Sequence, residues 1–101
     1  MHYSTWLADQ LDWSQRGDYI ASKHGIRPAW ASAVLADPDC VVIDPDYNSK
    51  SGRSVRIIGL SPEARAIVTV IVTEPRGRMC GVNAWESNSR DQRIYEERKS
   101  R

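Results

Sequence analysis

The spacing of apolar residues changes character near the middle of the chain. In the first half they recur at helical intervals. Trp6, Leu7, Leu11 and Trp13 form a short stripe behind Ser4, a residue suited to capping a helix N-terminus. A second helix is expected from Ser14; it presents Tyr19 and Ile20 and stops at Gly25, which fits the left-handed position at a helix end. A third helix begins at Pro28, whose missing N–H has no helical partner in a first turn. Trp30, Val34 and Leu35 give it an apolar side. Asp37-Pro38 ends it, because a residue before proline is pushed out of the helical region.

The second half reads as strands. Cys40-Val41-Val42-Ile43 is a short apolar run between the turn-forming triplets Asp37-Pro38-Asp39 and Asp44-Pro45-Asp46. Residues 47–52 are a polar loop. From Arg53 to Leu60 the pattern alternates, placing Val55 and Ile57 on one face and Arg56 and Ile58 on the other. After a turn at Ser61-Pro62-Glu63-Ala64, the run 66–73 is nearly all apolar or β-branched, as a central strand covered on both faces requires. Glu74-Pro75-Arg76-Gly77 is a hairpin loop, and Arg78 to Trp85 is the returning strand. Asn88 and Asp91 then read as cap and acidic third position of a final helix, from about Ser89 to Arg98. Its clear apolar residues are Ile94 and Tyr95, so it is expected to grip the domain weakly or to dock on a second chain, a homodimer being one such arrangement.

This order predicts an α+β domain: N-terminal helices packed on one face of a small antiparallel β-meander, with a C-terminal helix. The chain of 101 residues supports one domain over 1–101 with a modest core. Its 41% hydrophobic and 27% charged content excludes wholesale disorder. No apolar run approaches the roughly 20 residues of a membrane span. The start, Met1-His2-Tyr3-Ser4-Thr5-Trp6, lacks the basic-then-apolar form of a secretion leader, and a cytoplasmic location is expected. Cys40 and Cys80 read as buried free thiols, since neither has the second close pair of ligands that a zinc site needs. No metal or other cofactor is expected. The four aspartates 37, 39, 44 and 46 fit turns better than a calcium loop, because an apolar run fills the positions between them.

Charge refines this picture. The formal total of +1 conceals a split: residues 1–46 carry three basic and seven acidic groups, a net −4, whereas residues 47–101 carry eleven and six, a net +5. An acidic half joined to a basic half has two readings, an anionic partner for the basic half or a helix and strands that carry solvated arginines. Arg53 and Arg56 fall on one strand, Arg65 opens the next, Arg78 precedes the third, and Arg90 and Arg93 sit on the last helix. If strand order follows sequence, Arg56, Arg65 and Arg78 are expected to meet near one rim and clamp phosphates. Trp85 has two readings, stacking on a base or holding the last helix. His2 and His24 are the two histidines, the side-chain type suited to proton transfer near neutral pH. His24, beside Lys23, either caps a helix C-terminus or serves acid–base cleavage of RNA, with Glu86 as its partner.

Several segments together resemble BrnT-type toxins of bacterial toxin–antitoxin systems, within the wider RelE-like ribonuclease fold. The likeness begins at Lys23-His24-Gly25-Ile26 and the helix that ends at Asp37-Pro38. It continues through Asp44-Pro45-Asp46, then Arg56-Ile57-Ile58-Gly59 with Ser61 and Arg65, then Val70-Ile71-Val72-Thr73-Glu74. It closes with Val82 to Asn88 and with Arg93-Ile94-Tyr95-Glu96, so it spans roughly residues 20–97. It implies a metal-independent ribonuclease acting on mRNA, held in check by a small DNA-binding antitoxin encoded nearby. Under it Arg56, Arg65, Arg78 and Arg93 act as phosphate clamps, and Tyr95 matches a family tyrosine that also fits a packing role. Three positions depart from the family: Cys80 stands where an arginine is common, and Trp85 and Glu86 replace basic residues. Each lost cation weakens phosphate binding. The alternative implied by these departures is a non-cleaving RelE-like module that acts through a protein partner.

Overall fold

Local chemistry fixes where each element starts and stops. A computed structural model describes residues 11–100. Helix α1 (Gly17–His24) ends on Gly25 at φ 69, with the Gly25 N–H returning to the turn before it. Helix α2 (Pro28–Ser32) has its proline in the first turn and tightens into a 3₁₀ turn over Ala33–Ala36 before Asp37 leaves the helical region. The stripe expected around Ser4 to Leu7 lies outside the described residues. Strands β1 (Val41–Ile43), β2 (Val55–Ser61), β3 (Ala66–Thr73) and β4 (Cys80–Glu86) form one antiparallel sheet in sequence order, and helix α3 (Ser89–Lys99) closes the chain. The α+β architecture is therefore the one the pattern predicts.

Register assigns the faces. Val55 pairs with Val72, Ile57 with Val70, and Val70 with Ala84, so these side chains share a face. They form the main core with Ile20, Ile26, Ala31, Val34 and Leu35 of α1, α2 and the 3₁₀ turn. The other face carries Arg56, Ile58, Thr69, Ile71 and Trp85, and helix α3 lies over part of it. Strand β3 is buried on both faces, as its composition predicts. The outer edge of β4 is covered by the segment preceding α1: the Asp12 N–H donates to Met79 O and the Gly81 N–H to Asp12 O. A side chain at Gly81 would run into the Trp13 ring that lies there.

Two expectations about the last helix change. Asn88 caps it as expected, its Oδ1 accepting from the Asp91 N–H at 2.9 Å. The Asp91 carboxylate does not fold back to complete a capping box; it drops into the sheet, fully buried. Helix α3 is also not weakly held. Asp91 ties its first turn to β2 and β3, and the buried Tyr95 gives its hydroxyl proton to Asp37 Oδ2 at 2.7 Å. Polar bonds do here what an apolar stripe does in an ordinary helix. Among the described residues no helix is long and apolar enough to cross a membrane.

Candidate nucleic-acid interface

Arg56 organises the α3 side of the sheet. It is 2% exposed. Its Nε donates to Asp46 Oδ1 at 2.7 Å, and one terminal nitrogen donates both to Asp91 Oδ2 at 2.6 Å and to the Tyr47 hydroxyl at 2.9 Å. Tyr47 passes its own proton to Asp91 Oδ1 at 2.6 Å, and Thr69 gives its proton to Asp91 Oδ2 at 2.7 Å. A hydroxyl has one proton, so in the 2.7 Å contact between Thr69 and Ser87 the donor is Ser87. Burial alone would push the Asp91 carboxyl up. The bonds from Tyr47, Thr69 and Arg56 outweigh it and hold Asp91 below the ordinary carboxylate range. Burial and the bond to Asp91 raise the Tyr47 phenol, which stays protonated.

Around this buried knot runs a chain of cation and ring contacts. The Arg16 guanidinium lies 4.0 Å from the Tyr19 ring centre, and the Tyr19 and His24 rings meet edge-on at 5.9 Å. The His24 and Trp85 rings lie 6.1 Å apart, and the Arg56 guanidinium is 5.4 Å from Trp85. Arg56 is 4.1 Å from the Tyr47 ring, whose contact with Arg90 is 3.9 Å. Three arginines and four rings thus form one continuous chain from the start of α1 to the start of α3, with Tyr19, His24 and Trp85 as consecutive rings. Arg56 is buried within this ladder, Tyr47, Trp85 and His24 are half-buried, and Tyr19 and Arg90 are exposed. Cations over aromatic faces and rings open at one edge are the groups that hold unpaired bases and their phosphates.

The structure brings some of the expected site residues together and separates others. His24, Trp85, Arg56 and Arg90 join in the ladder. Lys23 is exposed next to His24, and Arg53 is exposed just before β2. Arg56 is corrected as a surface phosphate clamp, because it is 2% exposed and two carboxylates and a phenol hold its Nε and one terminal nitrogen. Tyr95 is corrected as an RNA contact, because it is 3% exposed and its hydroxyl is held by Asp37. The rim of Arg56, Arg65 and Arg78 does not form. Arg65 lies in the β2–β3 turn and Arg78 beyond the β3–β4 turn, at opposite ends of β3, some 20 Å or more apart along the strand. Arg78 pairs instead with Asp12 at 3.1 Å. Glu86 follows Trp85 on β4, so alternation sends it to the other face, away from the His24 contact. Arg93 is exposed on α3.

Sequence reasoning missed Arg16, Tyr19 as a ring contact, Tyr47 and the Asp46–Arg56–Asp91 tie. One signal was available: Arg56 sits in a strand between buried apolar neighbours, and a charge there requires buried partners. His24 Nε2 is enclosed and makes no hydrogen bond among the described residues. Cys40 is a buried free thiol, as expected, whereas Cys80 is free but only half-buried. Burial, reinforced by Asp37, raises the Cys40 thiol. No group of three His, Cys, Asp or Glu among the described residues is placed to hold a metal ion. No protein family matches the chain, and no curated protein is detectably similar to it.

Proposed function

We propose that this protein binds single-stranded RNA along the ladder from Arg16 to Arg90 and acts as the toxin of a bacterial toxin–antitoxin pair, cleaving mRNA without a metal. The observation that carries the reading is the run of cation and ring contacts: Trp85 sits between the His24 ring and the Arg56 cation, with Tyr47 and Arg90 beyond. In this scheme a base packs against Trp85, Arg90 and Arg53 contact phosphates, and Lys23 adds charge beside His24. His24 is the one imidazole of the ladder, so it takes the proton of the 2′-hydroxyl as that oxygen attacks the adjacent phosphate, and returns it to the 5′-oxygen as the P–O5′ bond breaks. The partner is a small DNA-binding antitoxin encoded nearby. Induced expression arrests bacterial growth, and Trp85→Ala with Arg90→Ala relieves the arrest. Unhindered growth at high soluble expression contradicts the proposal.

One observation favours a second reading, a non-cleaving module that acts through a protein partner. The most central cation of the ladder, Arg56, is committed to Asp46 and Asp91. In that case the purified protein retains RNA without shortening it. Cleavage abolished by His24→Ala in a correctly folded protein excludes this reading.

A further inference from the structure

A groove of about 610 Å³ opens where the ladder ends, between the segment before α1 and the β3–β4 hairpin. Its walls include Arg16, Arg76 and Arg78 and one carboxylate, Asp12. Each cation has a distinct setting. Arg16 is anchored twice, its Nε donating to Val82 O at 2.9 Å and its guanidinium over Tyr19, so its terminal nitrogens are held in place without hydrogen-bond partners among the described residues. The Arg76 side chain likewise has none, and the backbone presents it from the tip of the hairpin at φ 57. Arg78 meets Asp12 through one nitrogen only, 73% exposed. Asp12 is further occupied by the Ser14 N–H at 2.8 Å.

Three guanidiniums against one carboxylate leave the groove at +2. A phosphate monoester carries about −1.5 to −2 near neutral pH, and guanidinium forks match its oxygens. The volume exceeds what a bare phosphate needs and falls within the roughly 300–1,000 Å³ of small-molecule sites. Pro75 and Val82 supply apolar wall beside the cations. We propose that this groove binds a nucleoside phosphate, with Arg16, Arg76 and Arg78 on the phosphate and the nucleoside against Pro75 and Val82. The ligand is a free mononucleotide or the phosphorylated end of a strand. The inference stands on the groove and holds whether or not the protein cleaves RNA.

The test is calorimetric titration with uridine 5′-monophosphate and, separately, with a 5′-phosphorylated hexadeoxyuridylate, which lacks the 2′-hydroxyl needed for internal cleavage. Arg76→Gln and Arg78→Gln are each expected to weaken binding about fivefold or more, as loss of a charged hydrogen bond does. Arg98→Gln, which removes the same charge from α3, leaves binding unchanged. Thermal unfolding confirms that each variant is folded. Weakening of mononucleotide binding assigns the free nucleotide; weakening of the oligonucleotide alone assigns a strand end. If the unaltered protein binds neither ligand, or both groove variants bind as it does, the inference is overturned.

Discussion

At the scale of single residues, the stability of this fold depends on a few buried polar groups. Asp91 accepts bonds from Arg56, Tyr47 and Thr69, so Asp91→Ala leaves three donors short of an acceptor and removes one of the two carboxylates that pair with Arg56. Breaking one side of such a pair costs about 3–5 kcal/mol, and urea unfolding should report a loss of that size. A double-mutant cycle with Arg56→Met should show coupling, because the two side chains are in direct contact in one buried network. The pH dependence follows from the same groups. For Asp37 and Asp91, burial pushes upward but hydrogen bonds prevail, so both lie below the ordinary 3.8 when folded. A depressed carboxyl contributes stability above its unfolded value and loses it as pH falls through the folded one. Tyr95 is displaced the opposite way, by burial and by its bond to Asp37, well above the ordinary 10.0. Its contribution is complete below 10.0 and disappears as pH rises beyond it. The urea midpoint should therefore fall on the acid side of pH 4 and again above pH 10; a midpoint flat from pH 5 to 2 contradicts the assigned bonds.

At the scale of elements, two hairpin arginines occupy left-handed backbone, Arg65 at φ 54 and Arg76 at φ 57. That conformation costs a non-glycine residue about 1–2 kcal/mol, of which glycine's extra unfolded freedom returns a part. Arg65→Gly should therefore raise stability by about 0.5–1 kcal/mol in thermal or urea unfolding. Asn88→Ala should lower it by about 1 kcal/mol through loss of the α3 cap. Elements defined by punctuation were legible in the sequence: Gly25 and Pro28 bound helices, and the β-branched run 66–73 forms the central strand. Helix α3 was misjudged because apolar periodicity is blind to polar anchoring. Asp91 looks like a cap residue at three positions from Asn88, and only the sheet behind it, built from residues 22 and 35 positions earlier, shows what it binds. The candidate site was legible in part for the same reason. His24 and Trp85 stood out by residue type, whereas their neighbours depend on a register that brings distant positions together.

At the scale of the molecule, the near-neutral charge is divided between faces and grooves. Part of the basic surplus of residues 47–101 is neutralised inside the protein, where Arg56 meets Asp46 and Asp91, and part remains exposed at Arg53, Arg90 and Arg93. An RNA ligand therefore depends on ring contacts as much as on phosphate contacts, and binding should show a shallow salt dependence, with few counterions released. The most direct measurement is fluorescence anisotropy of a labelled, 2′-O-methylated single-stranded RNA, which cannot be cut, titrated with the protein and with Trp85→Ala. Saturable binding that Trp85→Ala weakens by about 1–3 kcal/mol, in a variant that remains folded, is the predicted result. No binding at low salt, or equal binding by the variant, contradicts the ladder as an RNA interface.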